Sequence, residues 1–204
     1  MNFFINFLKF SKLSENLVDL WHQEKDIEQN SLSELEKLIY SLQKKNYELW
    51  HLEDKARDPA ATDKTIADIK RQIDKKNQER NDLIELIDDY LLKEFKKAKI
   101  KYKKDVKINT ETPGSAIDRL TILTLKIYHM QEQMLRDDVD SLHKSNCKNK
   151  LNILIKQKKL LLKALKFLFD EIIKGQKKII VYRQFKMYND PNLNPEIYKN
   201  LKKK

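Results

Sequence analysis

Glycine is scarce in this sequence, with two among 204 residues. Phosphate-binding loops and doubly wound folds need several glycines, because backbone there must approach phosphate closely or turn with positive φ. Sandwiches of β-strands need a glycine or asparagine turn between most strands. Glycines at positions 114 and 175 alone supply neither architecture, so the composition favours a mostly α-helical chain.

Disulfide bonds and long apolar runs are also missing. Cys147 is the one cysteine in the sequence, so it has no partner for an internal disulfide, and a reducing cytoplasm is expected. The apolar start, residues 1–10, is shorter than the roughly 20 residues of a spanning helix and lacks the charge and cleavage site of a signal peptide. One helical face there carries four apolar side chains, for which packing against the domain is favoured over contact with a membrane surface: Phe3, Phe4, Phe7 and Leu8.

Charged residues are abundant and unevenly placed. Lys and Arg number 42 against 31 Asp and Glu, a net charge of +11, and 40% of the residues are apolar, enough for a core. Residues 150–204 carry 15 basic and 4 acidic side chains, so they hold the whole excess. A basic segment of this kind binds nucleic acid, anionic lipid or acidic substrates. The competing explanation is a lysine-rich composition without function, since 36 of the basic residues are Lys.

The apolar periodicity predicts an all-α antiparallel bundle of four to five main helices, in a single domain over residues 1–204. Ser31 or Ser33 caps the second helix, with a glutamate three residues on, and Thr112 followed by Pro113 starts the fourth. One short strand pair at most is expected, near the β-prone segment 178–186. Residues 1–11 are predicted as a peripheral segment, residues 196–204 as a frayed tail, and the helices as roughly 12–28, 31–58, 63–100, 113–139 and 147–174.

Polar residues interrupt the third helix where its apolar stripe should continue. The stripe keeps helical spacing from Ile66 to Leu91, yet Asn77 and Arg80 occupy two of its positions, and residues 74–82 contain no apolar side chain. Either this helix leaves the core there, or both residues are buried against specific partners, because an unpaired buried polar group costs a few kcal/mol. The predicted partners are Asp54 and Asp118 for Arg80, and His129 for Asn77.

Candidate metal ligands are few in this sequence. Glu48 and His51 have the spacing of half a di-metal site in a helical bundle, but no second copy of the motif follows. His143 and Cys147 share a helical face, and a pair alone is not a zinc site. A mononuclear site from His51 and His129 stays open as an alternative, although their spacing does not support it. The sequence therefore predicts no metal site, and it indicates no particular cofactor.

Arginine is used sparingly, six times against 36 lysines. Its planar fork binds carboxylates and phosphates in a bidentate fashion, which a lysine cannot do. Most of the arginines lie in carboxylate-rich helical segments. They therefore indicate either buried ion pairs that lock the register of the helices or a pocket that binds phosphate or carboxylate groups.

Longer motifs lie in five parts of the chain. They are WHLED (50–54) with RDP (57–59), KRQID (70–74) with NQ (77–78) and Arg80, NTETP (109–113) with IDRL (117–120), LKIYHM (125–130), and KMYNDP (186–191) with LNP (193–195). These motifs resemble a bacterial family of domains of unknown function that is often encoded among lipopolysaccharide and surface-glycan glycosyltransferase genes. The resemblance covers most of the chain from about Trp21. It implies a cytoplasmic protein of Gram-negative bacteria and implies no particular reaction.

Together with this resemblance, the polar residues on three helices and the C-terminal turn predict one convergent pocket. The first hypothesis is an accessory factor or enzyme of lipopolysaccharide or surface-glycan synthesis that binds a phosphorylated or nucleotide-activated sugar there. His51 and His129 are the acid–base candidates, because histidine titrates near neutral pH. The predicted ligand-binding residues are Asp54, Arg57, Arg71, Asp74, Asn77, Arg80, Asp118 and Arg119.

Two other functions stay open. One is a non-catalytic helical scaffold, in which the polar cluster only locks helix packing and residues 150–204 bind a glycosyltransferase or the inner membrane face. The other, which is the least favoured, is non-specific nucleic-acid binding, since Tyr182, Phe185 and Tyr188 interleave with basic residues as stacking platforms do.

Overall fold

The computed structural model describes residues 7–201, and 72% of it is helical, which confirms the predicted all-α bundle. The first two long helices run parallel to each other, since Lys9 meets Glu36 near their starts and His22 meets His51 near their ends. The second and third are antiparallel, with Lys45 near Glu79 and Glu53 near Lys70. A two-stranded sheet and a short last helix complete the fold. The elements are α1 (Phe7–His22), α2 (Glu34–Lys55), α3 (Asp63–Lys97), β1 (Lys107–Asn109), α4 (Pro113–Leu135), α5 (Ser141–Ile173), β2 (Lys177–Ile179) and α6 (Pro195–Leu201).

Local capping determines where most helices begin. The Ser33 hydroxyl accepts the backbone N–H of Glu36 at 3.3 Å, and the Glu36 carboxylate accepts the Ser33 N–H at 2.9 Å, which confirms the predicted capping box. Thr112 caps α4 with Pro113 in its first turn, also as predicted. The α5 helix begins six residues earlier than expected, because the Asp140 carboxylate accepts the His143 N–H at 2.7 Å and acts as its cap.

The first helix lies five to six residues earlier than the predicted span 12–28. It ends at His22 because the backbone turns at Glu24, which has a positive φ of 57°. Phe10, placed by the sequence in a peripheral segment, is buried in the main core, and Phe7 packs edge-on against Phe169 at 5.2 Å. Phe3, Phe4 and the side chain of Leu8 lie outside the part of the chain that the structure describes.

One short strand pair forms, as predicted, and it uses the start of the β-prone segment 178–186. The partner of β2 is β1, which lies between α3 and α4, and the two strands pair in parallel with Ile108 opposite Lys178. Gly175 makes this approach possible, because its φ is +64° and a Cβ there would lie 2.0 Å from the Lys101 carbonyl oxygen. Local propensity indicated an extended segment but carried no information about its distant partner.

The C-terminal segment ends in a helix where a frayed tail was predicted for 196–204. Pro195 begins α6, and the Asn194 side chain accepts the Glu196 N–H at 3.0 Å, so a local cap starts this last turn. Residues 202–204 lie outside the described part of the chain.

Helix α4 lies at the centre of the bundle and packs against α1, α2, α3 and α5. Its first turn approaches α3 closely at Gly114, where a Cβ would lie 2.6 Å from the Ile84 carbonyl oxygen. The Gly114 N–H donates to the buried Asp88 carboxylate at 2.7 Å, which joins α4 to α3. The fully buried apolar side chains around α4 come from all the long helices: Leu17, Leu42, Ile87, Ile117, Leu120, Leu125, Leu165 and Ile172.

A chain of buried polar groups crosses this core. It begins at Lys158 of α5, whose ammonium group donates to Glu15 and to the Thr124 hydroxyl, both at 2.8 Å. The Ser14 hydroxyl lies within hydrogen-bond distance of Thr124 and of the Gln43 side-chain carbonyl. Thus α5, α1, α4 and α2 are connected by hydrogen bonds through the interior.

The same chain continues along the contact between α2 and α4. The Gln43 amide donates to the Thr121 carbonyl at 3.3 Å. The Asn46 amide donates to the Thr121 hydroxyl and to the Asp118 carboxylate, both at 2.8 Å. Because buried polar groups need such partners, this chain determines how the helices align with one another.

Candidate functional site

A polar crevice opens between α2, α3 and α4. It consists of two adjoining cavities of about 290 and 270 Å³, which share Asn77 and Arg80 as walls, and we call it the Arg80 crevice. The first cavity is lined by Asn46, Leu49, Trp50, Glu53, Asp54, Arg57, Asn77, Arg80, Ile122 and Leu125. The second is lined by Asp74, Asn77, Arg80, Asn81, Gln184, Lys186, Tyr188 and Asn189.

Arg80 is the central side chain of this crevice. Its side chain is 28% exposed, and its Nε lies 3.9 Å from the Asp118 carboxylate. This Nε is itself buried, with no hydrogen-bond partner among residues 7–201. The guanidinium group is therefore held loosely by one carboxylate and keeps donors available for a ligand.

The interrupted stripe of α3 faces this crevice. Asn77 and Arg80 are half-buried, and the buried polar residue of the segment is instead Asn81. Of the predicted partners of Arg80, Asp118 lies beside it and Asp54 lines the same crevice. His129, predicted to contact Asn77, is not among the described residues that line either cavity.

Asp118 lies behind Arg80, between α4 and α2. It is buried, and its carboxylate accepts the Asn46 amide at 2.8 Å. Burial raises the pKa of Asp118, while the Asn46 hydrogen bond and the nearby Arg80 and Arg119 charges lower it. This carboxylate positions Arg80 from the interior side of the crevice.

Most of the predicted ligand-binding residues meet at the crevice, and two do not. Asp54, Arg57, Asp74, Asn77 and Arg80 line it, and Asp118 lies behind them. Arg71 is exposed and pairs with Asp68 at 2.6 Å, and Arg119 is exposed and pairs with Glu111. Arg119 follows the inward-facing Asp118 directly, and one residue turns a helix by about 100°, so its side chain points outwards.

The C-terminal segment supplies one wall of the crevice. The sequence placed its turn in the convergent pocket but named none of its residues as ligand-binding. Arg183 bridges Glu85 at 2.9 Å and Asp89 at 3.0 Å, which holds the segment against α3. Lys186 and Tyr188 thereby reach the second cavity. The signal was present in the sequence, because arginine is rare here and residues 186–191 belong to the longer sequence motifs.

The two predicted catalytic histidines lie together, away from the crevice lining. His51 of α2 and His129 of α4 meet His22, the last residue of α1, and one ring nitrogen of each lies within 4.8 Å of the others. Trp50 separates this group from the crevice: it lines the first cavity and stacks on the His129 ring with centroids 4.6 Å apart. Nothing in the local sequence around His22 indicated that it belongs to this group.

Hydrogen bonds orient two of the three imidazole rings of this group. His22 Nδ1 lies 2.8 Å from the Val18 carbonyl oxygen, and His129 Nδ1 lies 2.6 Å from the Glu132 carboxylate. The Nε2 atoms of all three histidines are buried without a hydrogen-bond partner among the described residues. Burial lowers the pKa of His51, and the nearby His22 and His129 lower it further.

The other two ligand pairs considered from the sequence, Glu48 with His51 and His143 with Cys147, have different outcomes. Glu48 lies 3.2 Å from Lys45 and 2.7 Å from Lys76, so it forms ion pairs with lysines instead of joining His51. The Cys147 thiol lies 3.4 Å from His143 Nε2 on α5.

A larger cavity of about 560 Å³ lies between α1, α4 and α5. Its polar side contains the Lys158–Glu15 pair, and its remaining walls are mainly apolar. Tyr128 lines it and stacks on the His22 ring with centroids 4.0 Å apart. The three histidines therefore lie between this cavity and the Arg80 crevice.

Comparison with known proteins identifies a family but no individual related protein. Residues 36–181 match the model of a family described as "Protein of unknown function (DUF4254)". No curated protein and no solved structure matches the chain. The matched span begins within α2 and ends just after β2, so it contains His51 and His129 but not His22. Within residues 7–201, no helix combines the length with the apolar character needed to cross a bilayer.

Proposed function

The chain belongs to the DUF4254 family, and we propose that it binds a phosphorylated or nucleotide-activated sugar in the Arg80 crevice. In this proposal it acts as an accessory factor or enzyme of lipopolysaccharide or surface-glycan synthesis. The observation that carries the proposal is Arg80 itself, a half-buried guanidinium group with a buried, unpartnered Nε among the described residues, at the junction of two cavities.

The mixture of charges along the crevice suits this class of ligand. Arg57 at the first cavity and Lys186 at the second add positive charge to Arg80, and such groups form charge-assisted hydrogen bonds to phosphate. Asp54 and Asp74 would repel a bare anion, but carboxylates accept hydrogen bonds from sugar hydroxyls. A ligand with a phosphate at one part and several hydroxyls at another satisfies both sets of groups.

The size and the aromatic wall of the crevice support the same ligand class. Small-molecule pockets typically measure about 300–1,000 Å³, and the two adjoining cavities together fall in this range. Trp50 offers a large, partly exposed ring in the first cavity, on which a sugar or base can pack. The link to glycan synthesis rests on the resemblance of the sequence motifs to a family found among glycosyltransferase genes.

The geometry supports binding more directly than catalysis. His51 and His129 lie behind Trp50, and their Nε2 atoms are buried, so proton transfer to a ligand in the crevice requires Trp50 to move. An accessory role, in which the protein holds or delivers the sugar, needs no such movement.

The test is a ligand screen with matched arginine variants. Sugar phosphates and nucleotide sugars are added, in the presence of a chelator, to the unaltered protein, to Arg80→Gln and to Arg71→Gln, and thermal shifts and calorimetric titrations are recorded. A hydrogen bond to a charged group contributes about 1.5–3 kcal/mol, so Arg80→Gln should weaken binding roughly 10- to 100-fold. Arg71 lies on the same helix, exposed and away from the crevice, and its substitution should leave the affinity unchanged. No binding of any of these ligands to the unaltered protein, or equal loss in both variants, overturns the proposal.

A second candidate function is the helical scaffold, and the exposed face of α5 favours it. Ile153, Leu160 and Phe167 recur every seven residues on this helix and are each more than half exposed. Lys156 and Lys163 lie between them and are also exposed. A stripe of apolar and basic residues suits an anionic membrane face or an acidic surface of a glycosyltransferase. Lys158 takes no part in it, because it is buried.

The nucleic-acid alternative has less support. Tyr182, Phe185 and Tyr188 are exposed, as stacking would require. The arginine among them, Arg183, is ion-paired with Glu85 and Asp89, which lowers the positive charge available there.

A further inference from the structure

We infer that His22, His51 and His129 form a mononuclear site for a transition-metal ion of the Zn²⁺ class, which connects α1, α2 and α4. The inference goes beyond the proposed function, because the crevice and its ligand play no part in it. The three imidazole rings and the groups that orient them supply the whole site.

The three ring nitrogens are close enough to share an ion after small adjustments. They lie within 4.8 Å of one another, so one point lies within about 2.8 Å of all three, compared with about 2.0–2.1 Å for a Zn–N bond. Closing this gap moves each ring by less than about 1 Å, a movement that side-chain torsions can supply. The three histidines come from three different helices, so an ion there ties the end of α1 to the bundle.

Two of the three rings, those of His22 and His129, carry at their other nitrogen the hydrogen bond typical of metal-binding histidines. The Val18 carbonyl can only accept a hydrogen bond, so His22 Nδ1 carries the proton and its Nε2 presents a lone pair. The Glu132 carboxylate likewise accepts from His129 Nδ1 and leaves Nε2 of that ring for a ligand bond. A carboxylate or carbonyl behind a ligating histidine fixes the ring and raises its basicity.

Packing alone does not account for these nitrogens. Stacking on Tyr128 and Trp50 engages the faces of the His22 and His129 rings, but the Nε2 lone pairs lie in the ring planes. All three Nε2 atoms are buried without a hydrogen-bond partner among the described residues, and such groups are few in native proteins. One cation satisfies the three lone pairs at once, whereas direct hydrogen bonds between rings satisfy at most some of them.

The donor set selects the class of ion. Three neutral imidazoles suit Zn²⁺, Cu²⁺, Ni²⁺ or Co²⁺, whereas Mg²⁺ and Ca²⁺ prefer oxygen ligands. Imidazole has an ordinary pKa of about 6.5, so a neutral ring is readily available to a metal at physiological pH. Three protein ligands also leave a fourth position for water or another small ligand, as in zinc sites with three histidines.

The test is a metal titration of the full chain without a polyhistidine tag. After treatment with a chelator, Zn²⁺ is titrated by calorimetry, and Co²⁺ is added to record the absorption spectrum of a nitrogen-ligated ion. We expect one equivalent to bind and, at about a hundredfold excess over Kd, a rise in Tm of roughly 5–10 °C. Mg²⁺ should produce neither effect.

Single substitutions identify the ligands. His22→Gln, His51→Gln and His129→Gln should each abolish the stoichiometric binding, whereas His143→Gln should retain it, since His143 is the fourth and last histidine of the chain and lies on α5. Glu132→Gln, at a partly exposed carboxylate, should weaken binding about 10- to 100-fold without loss of the fold, which circular dichroism verifies. This variant keeps the test decisive if a histidine variant does not fold.

Two results overturn the inference: no stoichiometric binding of Zn²⁺ or Co²⁺ to the unaltered protein, or unchanged binding in the folded variants of the three histidines and Glu132. The titration uses metal alone, and the crevice screen uses sugars with a chelator present. Failure of the metal site therefore leaves the proposed function standing, and the reverse also holds.

Discussion

At the scale of single residues, Asp88 is the carboxylate on which the junction of α3 and α4 depends. It is 1% exposed, and it accepts the Gly114 N–H at 2.7 Å at the start of α4. Burial raises its pKa to about 6, although the Thr112 hydroxyl and the Gly114 amide act in the opposite direction. The proton of this one side chain therefore contributes to the stability of the helix pair that forms the crevice.

Asp88→Asn should alter how stability depends on pH. In the unfolded chain Asp88 loses its proton near the ordinary aspartate pKa of 3.8, and in the folded protein near 6, so the folded state holds the proton more tightly between these values. The stability contributed by this group is fully present below about pH 4 and is lost as pH rises to about 6. Asparagine does not titrate, so the stability of the variant relative to the unaltered protein should rise by about 2 kcal/mol between pH 4 and pH 7. Urea unfolding at pH 4, 5.5 and 7 measures this difference, and a difference that stays constant would contradict the prediction.

At the scale of helices, the polar segment 74–82 of α3 serves the contact with α4 and the crevice at once. Arg80 approaches Asp118 from α3, and Asn46 approaches the same carboxylate from α2. The sequence indicated that the stripe was interrupted and proposed Asp118 as a partner, because both sets of residues keep helical spacing. It did not show that the segment lines an open crevice, since a helical stripe does not reveal how closely a neighbouring helix packs against it.

Arg80→Leu with and without Asp118→Asn separates a binding role from a purely structural one. Arg80→Leu alone should cost about 1–2 kcal/mol of unfolding free energy, less than for a fully buried pair, because Arg80 remains partly exposed. Adding Asp118→Asn should recover most of this loss, since the amide oxygen still accepts the Asn46 hydrogen bond and no unpaired charge remains. Chemical denaturation gives the stabilities, and titration of the crevice ligand gives the function. Recovered stability with lost binding supports the site, whereas recovered stability with intact binding would mean that Arg80 only sets helix register.

At the scale of the whole molecule, the net positive charge is concentrated in the C-terminal quarter of the sequence. Residues 150–204 carry 15 basic and 4 acidic side chains, and α5 presents exposed lysines between its exposed apolar residues. Such a face attracts anionic surfaces, and exposed charges are screened over about 8 Å at physiological ionic strength. The alternative is a lysine-rich composition without a partner.

Binding to anionic lipid vesicles should distinguish these two explanations. Lysines near an anionic membrane contribute about 1 kcal/mol each, so Lys156→Gln with Lys163→Gln should lower vesicle binding roughly 30-fold, and added salt should lower it further. Lys64→Gln with Lys75→Gln is the matched control, since both lysines are exposed on α3. Sedimentation with vesicles containing phosphatidylserine measures the effect. Equal loss in both double variants, or no binding at all, would leave the charge of α5 without a role at membranes.

The sequence by itself determined the features that depend on neighbours a few residues apart. The scarcity of glycine excluded other fold classes, and Ser33 with Glu36 and Thr112 with Pro113 marked helix starts, because a cap involves groups only three residues apart. Helical spacing likewise indicated that Arg80 occupies a position in the apolar stripe of α3.

Only the tertiary structure decided which distant segments meet. His22 joins two histidines from other helices, β1 pairs with β2, and Arg183 holds the C-terminal segment against α3. These contacts link residues tens of positions apart in the chain, and each depends on how whole helices pack around α4. Apolar periodicity specifies which face of a helix is buried but not which helix covers it. The three-histidine group and the Arg183 contact that holds the C-terminal turn at the crevice therefore required the folded structure.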